Sequence, residues 1–270
     1  MLHLFITDQP DLATFVHDAG VERIFIDLET LGKAERQDNF DALISHHAWE
    51  NIAKVRSAVP AAEVVVRLNP LYTGTLREID EVVSAGADFL MLPMFRSAAE
   101  LSTFCKAVRG RKPVIPLVET AGALQEIQEV AAVDGVAELH VGLNDLHRDL
   151  GLKNLFQPLA EDRLDTLAET MRRRGLAWGV GGVSRVGHGA IPGEQVMGEY
   201  CRLGSSRVIL SRAFHQRAQS VDELNANMDF ALELSRLREA TERLKNRTKE
   251  EQAHDHQRFQ RTVSAFIQAA

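Results

Sequence analysis

Four apolar runs in this 270-residue chain end in groups that can do chemistry. Ile26-Asp27-Leu28-Glu29 closes one, Arg67-Leu68-Asn69-Pro70 another, Leu117-Val118-Glu119-Thr120 a third and Gly142-Leu143-Asn144-Asp145 a fourth. A lone carboxylate at such a place commonly caps the following helix or pairs with a neighbour. Glu119 and Asp145, however, close consecutive runs, and two carboxylates with room for water are the ligand set that a hard divalent cation such as Mg2+ prefers. Burying both without a cation costs several kcal/mol or forces one to protonate. Arg67 brings the opposite charge and can hold a developing enolate or a substrate carboxylate through paired hydrogen bonds. A cation and an arginine at one pocket suit chemistry through a negative intermediate. A 2-oxo acid chelates a divalent ion through its carboxylate and keto oxygens, and the ion stabilises the enolate as a Lewis acid.

Other chemistries find less support. His3, His46, His47, His254 and His256 fall in helix-like, terminal or polar stretches that suit surface or core roles, and His140, inside a run, reads as a satisfied wall residue. His147, His188 and His215 follow run ends and can reach the same pocket, yet none has the spaced partner of a zinc signature. The chain contains no G-x-S-x-G elbow, no G-x-G-x-x-G and no G-x-x-x-x-G-K-[ST]. Cys105 and Cys201 stand far apart without C-x-x-C spacing, as packed thiols of a reducing cytosol do. With 31 Lys+Arg against 38 Asp+Glu, a net charge of −7 argues against a nucleic-acid partner. Hydrophobic content of 45% and charged content of 26% exclude a disordered or fibrous chain. The first ten residues lack the basic and apolar regions of a signal peptide, and the longest apolar run, 89–95, is too short to span a bilayer and contains Pro93. The expectation is a cytoplasmic protein with no membrane partner.

The elements that must position these groups follow from period. Short runs apolar on both alternating positions predict strands at 2–7, 23–29, 64–70, 89–94, 114–120, 139–145, 177–182 and 207–212, each suited to a parallel sheet covered on both faces. Helical patterns fall between them at about 11–19, 33–59, 75–85, 98–108, 121–132, 162–174 and 193–203, several ending in a glycine stop such as Ala19-Gly20 or Arg174-Gly175. Eight such units over residues 1–240 predict an α/β fold, a (β/α)8 TIM barrel whose chemistry sits at the C-terminal ends of the strands. The glycine-rich stretch 181–189 with Arg185, and the stretch 202–207, are of the kind that holds phosphate after strands seven and eight, a plain flexible turn being the alternative. Residues 241–270 exceed what a barrel needs and predict an extra C-terminal helical arm. The arm either forms a solvated tail or docks its Phe259, Val263 and Phe266 stripe on a neighbouring subunit.

In order along the chain, Ile26-Asp27-Leu28-Glu29, Val66-Arg67-Leu68-Asn69-Pro70, Met91-Leu92-Pro93, Leu117-Val118-Glu119-Thr120 and Val141-Gly142-Leu143-Asn144-Asp145-Leu146 resemble the HpcH/HpaI aldolase and citrate lyase β-subunit family over about residues 20–215. The resemblance implies a phosphoenolpyruvate/pyruvate-binding barrel that makes or breaks a C–C bond beside a metal-bound, pyruvate-like enolate. It implies Mg2+ or Mn2+ on Glu119 and Asp145, Arg67 as oxyanion stabiliser, catalytic roles for Asp27 and Glu29, and substrate contacts from Arg67, Gly142 and Asn144. It further implies a homo-oligomer, trimer or hexamer, that exchanges its C-terminal helix. Thr30 stands where the citrate lyase-like D-L-E-D element has its second aspartate, and the aldolase branch's histidine just after the strand-two acid is replaced by Thr30-Leu31-Gly32. The general base is therefore open among Glu29, His147 and a metal-bound water. Alternatives to a metal-dependent aldolase are a citrate lyase β-like acyl-CoA lyase and a non-catalytic barrel serving as a binding or scaffold subunit.

Overall fold

A computed structural model describes residues 1–32 and 48–269. Eight parallel strands pair in sequence order, β1 (Leu2–Ile6), β2 (Arg23–Asp27), β3 (Glu63–Arg67), β4 (Phe89–Leu92), β5 (Val114–Val118), β6 (Glu138–Val141), β7 (Ala177–Val183) and β8 (Arg207–Leu210), and β8 returns to β1 to close a barrel. Around it run α1 (Pro10–Asp18), α2 (Glu50–Ala58), α3 (Thr75–Ser84), α4 (Ala98–Val108), α5 (Ala121–Gln125), α6 (Ile127–Val130), α7 (Leu143–Asp149), α8 (Gln157–Ala160), α9 (Asp165–Arg174), α10 (Gly193–Leu203), α11 (Val221–Asn227), α12 (Phe230–Lys245) and α13 (Lys249–Ala269). The fold is the expected (β/α)8 TIM barrel with added C-terminal helices.

Side chains alternate across each strand, and both faces are buried. Ile24, Ile26, Val64 and Val66 join the layer packed under the helices, while Leu4, Phe25, Val65, Met91, Ile115, Leu117 and Ile209 fill the barrel as a separate apolar cluster. The β2–β3 register stacks the interior in rungs: Arg23 beside Glu63, Phe25 beside Val65, Asp27 beside Arg67. The lowest rung is an ion network in which Arg23 Nε lies 2.6 Å from Glu63, and Arg23 and Arg207 both bind Glu138. His140 is a buried wall residue inside the barrel, its ring lying by the β7 backbone at Val180. Burial, reinforced by the nearby Arg23 charge, pushes its pKa down to about 3 and keeps the ring neutral.

Some boundaries differ from the sequence pattern. The helix expected at 33–59 is seen at Glu50–Ala58, and residues 33–47, with His46 and His47, lie outside the described residues. The helix expected at 121–132 breaks at Glu126, whose backbone leaves helical geometry (φ −91°, ψ 28°) while its carboxylate accepts the Ala98 N–H at 2.8 Å. No described helix is long and apolar enough to cross a membrane.

The C-terminal segment is neither a solvated tail nor turned outward along its stripe. Helix α12 runs through residue 240, with the Phe230 ring edge-on to Phe5 at 5.7 Å and Phe214 at 5.9 Å. On α13, Phe259 and Val263 are buried against the chain's own barrel, Phe259 edge-on to Phe156 at 6.2 Å, because the segment around α8 and helix α10 supply a receptive apolar surface. Gln260 donates to the Ala160 carbonyl at 2.8 Å, and His256 lies 2.8 Å from the buried Glu199 carboxylate. Phe266 alone of the expected stripe stays 39% exposed. Truncating a ring so enclosed leaves a cavity, and Phe259→Ala should cost about 3 kcal/mol in urea unfolding, whereas Phe266→Ala should cost under about 1 kcal/mol. Equal small losses in both variants would show that the arm is not seated where described.

Candidate active site

The C-terminal end of the barrel gathers the charged strand ends. Arg67, last residue of β3, donates from Nε and Nη2 to the two Asp27 oxygens, both at 2.8 Å, and its Nη1 lies 3.4 Å from Glu29. Asp27 and Glu29 are both buried, and the Glu29 N–H donates to Asp27 at 3.2 Å. Burial by itself would lower the Arg67 pKa, but the Asp27, Glu29 and Glu119 charges overcome it and raise it. The Asn69 side chain continues this organisation, accepting from the Thr30 and Leu31 N–H groups, each at 2.9 Å, and donating to Glu78 at 2.8 Å. The loop leaving β2 is thereby fastened to the loop leaving β3.

Glu119 follows β5 directly and is almost wholly shielded from water. Its Oε1 accepts the Met94 N–H at 3.0 Å. Met94 reaches that orientation in the left-handed region (φ 55°), an uncommon conformation for a residue with a side chain, and such conformations cluster at functional sites. On the other side a Cβ at Gly142 would come within 2.5 Å of Glu119 Oε2, so only glycine lets β6 pass this close to the carboxylate. Burial raises the Glu119 pKa to about 8; Asp145 and Glu29 push it the same way, against Arg67 and the Met94 N–H. A carboxylate left short of positive charge in this way is a fit seat for a cation, with Asp145 as the second donor. Among the described residues no group of three or more His, Cys, Asp or Glu is arranged to hold a metal, so protein donors beyond those two carboxylates are not indicated.

Several placements refine the sequence reading. Asp145 does not end a strand: β6 stops at Val141, and Asp145 lies in the first turn of α7, where a helix N-terminus favours negative charge. Asn144, in the same turn, is exposed, and Gly142 caps the helix. His147 is turned back on its own helix, 3.1 Å from the Leu143 carbonyl, and burial lowers its pKa. His215 is buried against Phe5 at 4.8 Å between ring centroids, its pKa down to about 4 through burial and the Arg212 charge. The stretch 202–207 belongs to the other end of the barrel, because β8 begins at Arg207, and Arg202 is taken up by Glu199 at 2.9 Å. Both cysteine thiols are pushed up to about 11 by burial, as inert packed groups are.

Two contributors escaped the sequence reading. The Met94 N–H carries no side-chain signal beyond its place after a strand-ending proline. Arg212 had a signal: it closes the eighth apolar run just as Arg67 follows the third. Burial and the Arg67 and Arg217 charges lower its pKa while Asp27 opposes them, so it belongs to the same electrostatic field.

The raised Glu119 pKa has a consequence for folding. Between the ordinary 4.5 and about 8, the folded chain keeps a proton that the unfolded chain has released. Stability from this group is therefore full at low pH and is lost as pH climbs through that window. Glu119→Gln is neutral at every pH, so in urea titrations with chelator it should gain on wild type from pH 5 to 8, by on the order of 3 kcal/mol. Parallel pH profiles for the two proteins would refute the buried, charge-starved placement of Glu119.

The sequence profile of the HpcH/HpaI aldolase/citrate lyase family matches residues 2–161. A 4-hydroxy-4-methyl-2-oxoglutarate aldolase of Chaetomium globosum is 24% identical over 211 residues, 64% of this chain and 72% of that protein. Among solved structures, an HpcH/HpaI aldolase from Desulfitobacterium hafniense superposes with a TM-score of 0.62 at 15% identity, covering 92% of this chain and 94% of the other. An HpcH/HpaI aldolase/citrate lyase family protein from Burkholderia cenocepacia gives 0.61 at 18% identity over 91% and 95%. At such identities the structural likeness speaks for the fold, while the profile spans more than half of the sequence. The chain belongs to the HpcH/HpaI aldolase/citrate lyase family.

Proposed function

We propose that the chain is a divalent-cation-dependent carbon–carbon lyase of the aldolase type, acting on a 2-oxo acid. The observation that carries this reading is the buried, charge-starved Glu119 carboxylate beside Asp145 and Arg67. The family supplies lyase chemistry, and the related Chaetomium globosum protein bears the name of a 2-oxo acid aldolase. Mg2+ or Mn2+ held by Glu119 and Asp145 would supply Lewis-acid polarisation of the substrate's carboxylate and keto oxygens.

The chain's own residues do the rest. Asp27 holds Arg67 by two hydrogen bonds, so the guanidinium does not have to reorganise as negative charge develops on the keto oxygen. Gly142 and Asn144, at the start of α7, are the substrate-side residues of that rim. In the cleavage direction a base takes the proton of the substrate's hydroxyl, and the electrons of the breaking C–C bond pass into the enolate, which is then protonated at carbon. Glu29, buried and 3.4 Å from Arg67, is among the described residues the nearest carboxylate to the arginine after Asp27 and is placed to act as that base.

Deuterium exchange into the methyl group of pyruvate, followed by proton NMR with Mg2+ or Mn2+ present, tests the reading. Wild type should exchange. Glu119→Gln, Asp145→Asn and Arg67→Lys should each slow exchange about 100-fold, the scale for losing one preorganised electrostatic contact. Exchange that persists unchanged in the first two variants would sink the metal assignment.

A further inference from the structure

A buried carboxylate that none of this chemistry uses lies on the helix following β3. Glu78, in the first turn of α3, is 8% exposed, and among the described residues no cation pairs with it. Its Oε2 is shut away from water without a hydrogen-bond partner. Its Oε1 accepts twice from a single residue, from the Asn69 N–H at 3.1 Å and from Asn69 Nδ2 at 2.8 Å. Burial raises the Glu78 pKa, and the two Asn69 donors oppose that shift, so they serve the ionised form. The start of a helix favours negative charge, yet an exposed acid would meet that preference without the cost of burial. The burial of Glu78 calls for another explanation.

Asn69 supplies it. Its amide has one accepting end and one donating end, whereas an ionised carboxylate can only accept. With Glu78 on one side, Nδ2 is drawn to the carboxylate and the amide oxygen faces the β2 loop. There it accepts the Thr30 and Leu31 N–H groups, each at 2.9 Å, and the Thr30 hydroxyl at 3.3 Å. Thr75, also in the first turn of α3, fixes the same β3 loop further along, its Oγ accepting the Tyr72 N–H at 2.9 Å. Glu29 thus lies between two cross-links of the same pair of chain segments. Asp27 is bound to Arg67 on one side of it, and Thr30 to Asn69 on the other. Glu29 cannot shift along Arg67 without breaking one of them.

We infer that Glu78 is a positioning residue: by orienting the Asn69 amide it holds Glu29 at its distance from Arg67, and through that distance it acts on the chemistry at the mouth. It touches no reacting group itself. The inference rests on the roles given above to Arg67 and Glu29, and adds the outer helix that keeps them in register. Misplacing a reacting group by about 1 Å through a change far from the chemistry can cost about 100-fold in rate.

Steady-state pyruvate methyl exchange with Mg2+ present, run beside urea unfolding of the same full-length proteins, tests this role. Glu78→Ala, and Asn69→Asp, which sets two acceptors face to face, should each lower kcat about tenfold with KM within about twofold of wild type. Combining Asn69→Asp with Glu78→Gln puts a donor opposite an acceptor again, in the reverse sense. That pair should bring kcat back to within about threefold of wild type. In an Arg67→Lys background, Glu78→Ala should cost less than about twofold more, because its effect passes through that arginine and its partner. Stability lost without a change in kcat, no recovery in the combined variant, or a further loss of about tenfold beside Arg67→Lys overturns the inference. Wild type that fails to exchange refutes the Glu119 reading and the inference with it. Wild type that exchanges while the Glu78 and Asn69 variants match it refutes the inference alone.

Discussion

The bidentate contact between Asp27 and Arg67 is the interaction on which the mouth of the barrel depends. It exists because β2 and β3 pair in a register that sets these two residues opposite one another on the inward face. A slip of β3 by one residue would turn Arg67 outward and bring an apolar neighbour such as Val66 opposite Asp27. The pair is buried, and removing one partner of a buried ion pair typically costs more than the pair contributes when intact. Asn69, two residues beyond Arg67, gathers the Thr30 and Leu31 amides, so the ends of the two strands and their loops act as one unit.

Around that unit the charges are arranged unevenly rather than neutralised in pairs. Arg67 is engaged by Asp27 and faces Glu29, and among the described residues Glu119 makes no ion pair and accepts one backbone N–H, its burial outweighing the Arg67 charge. The strained Met94 and the missing side chain at Gly142 both serve the same carboxylate, one by offering a donor and the other by making room. Structural economy alone would have selected neither feature. A left-handed non-glycine residue lowers stability, and a deeply buried carboxylate is better replaced by an amide unless its charge has a task. The two costs meeting at one atom group is the strongest physical sign that Glu119 is kept for chemistry.

Much of this could be read along the chain. Runs such as Val64-Val65-Val66 and Phe89-Leu90-Met91-Leu92 mark strands buried on both faces, and their charged ends mark the mouth, because period and burial are local properties. What could not be read was non-local. The turn that moves Asp145 from a strand end into a helix depends on how far β6 is paired, which Val141 and its partner Val180 decide. The seat of Phe259 depends on Phe156, far away in sequence and itself in an irregular segment. Glu126 ends a helix because of the Ala98 amide on a neighbouring element. Arg212 ends the eighth apolar run by the same rule that marks Arg67, but that it shares a field with Asp27 and Arg67 depends on β8 closing onto β1, which is non-local.

The apolar plug of Leu4, Phe25, Val65, Met91, Ile115, Leu117 and Ile209 has a consequence for access. With the interior filled and an ion network on the far rung, nothing threads the barrel, so whatever meets the charged strand ends must approach them from their own C-terminal side.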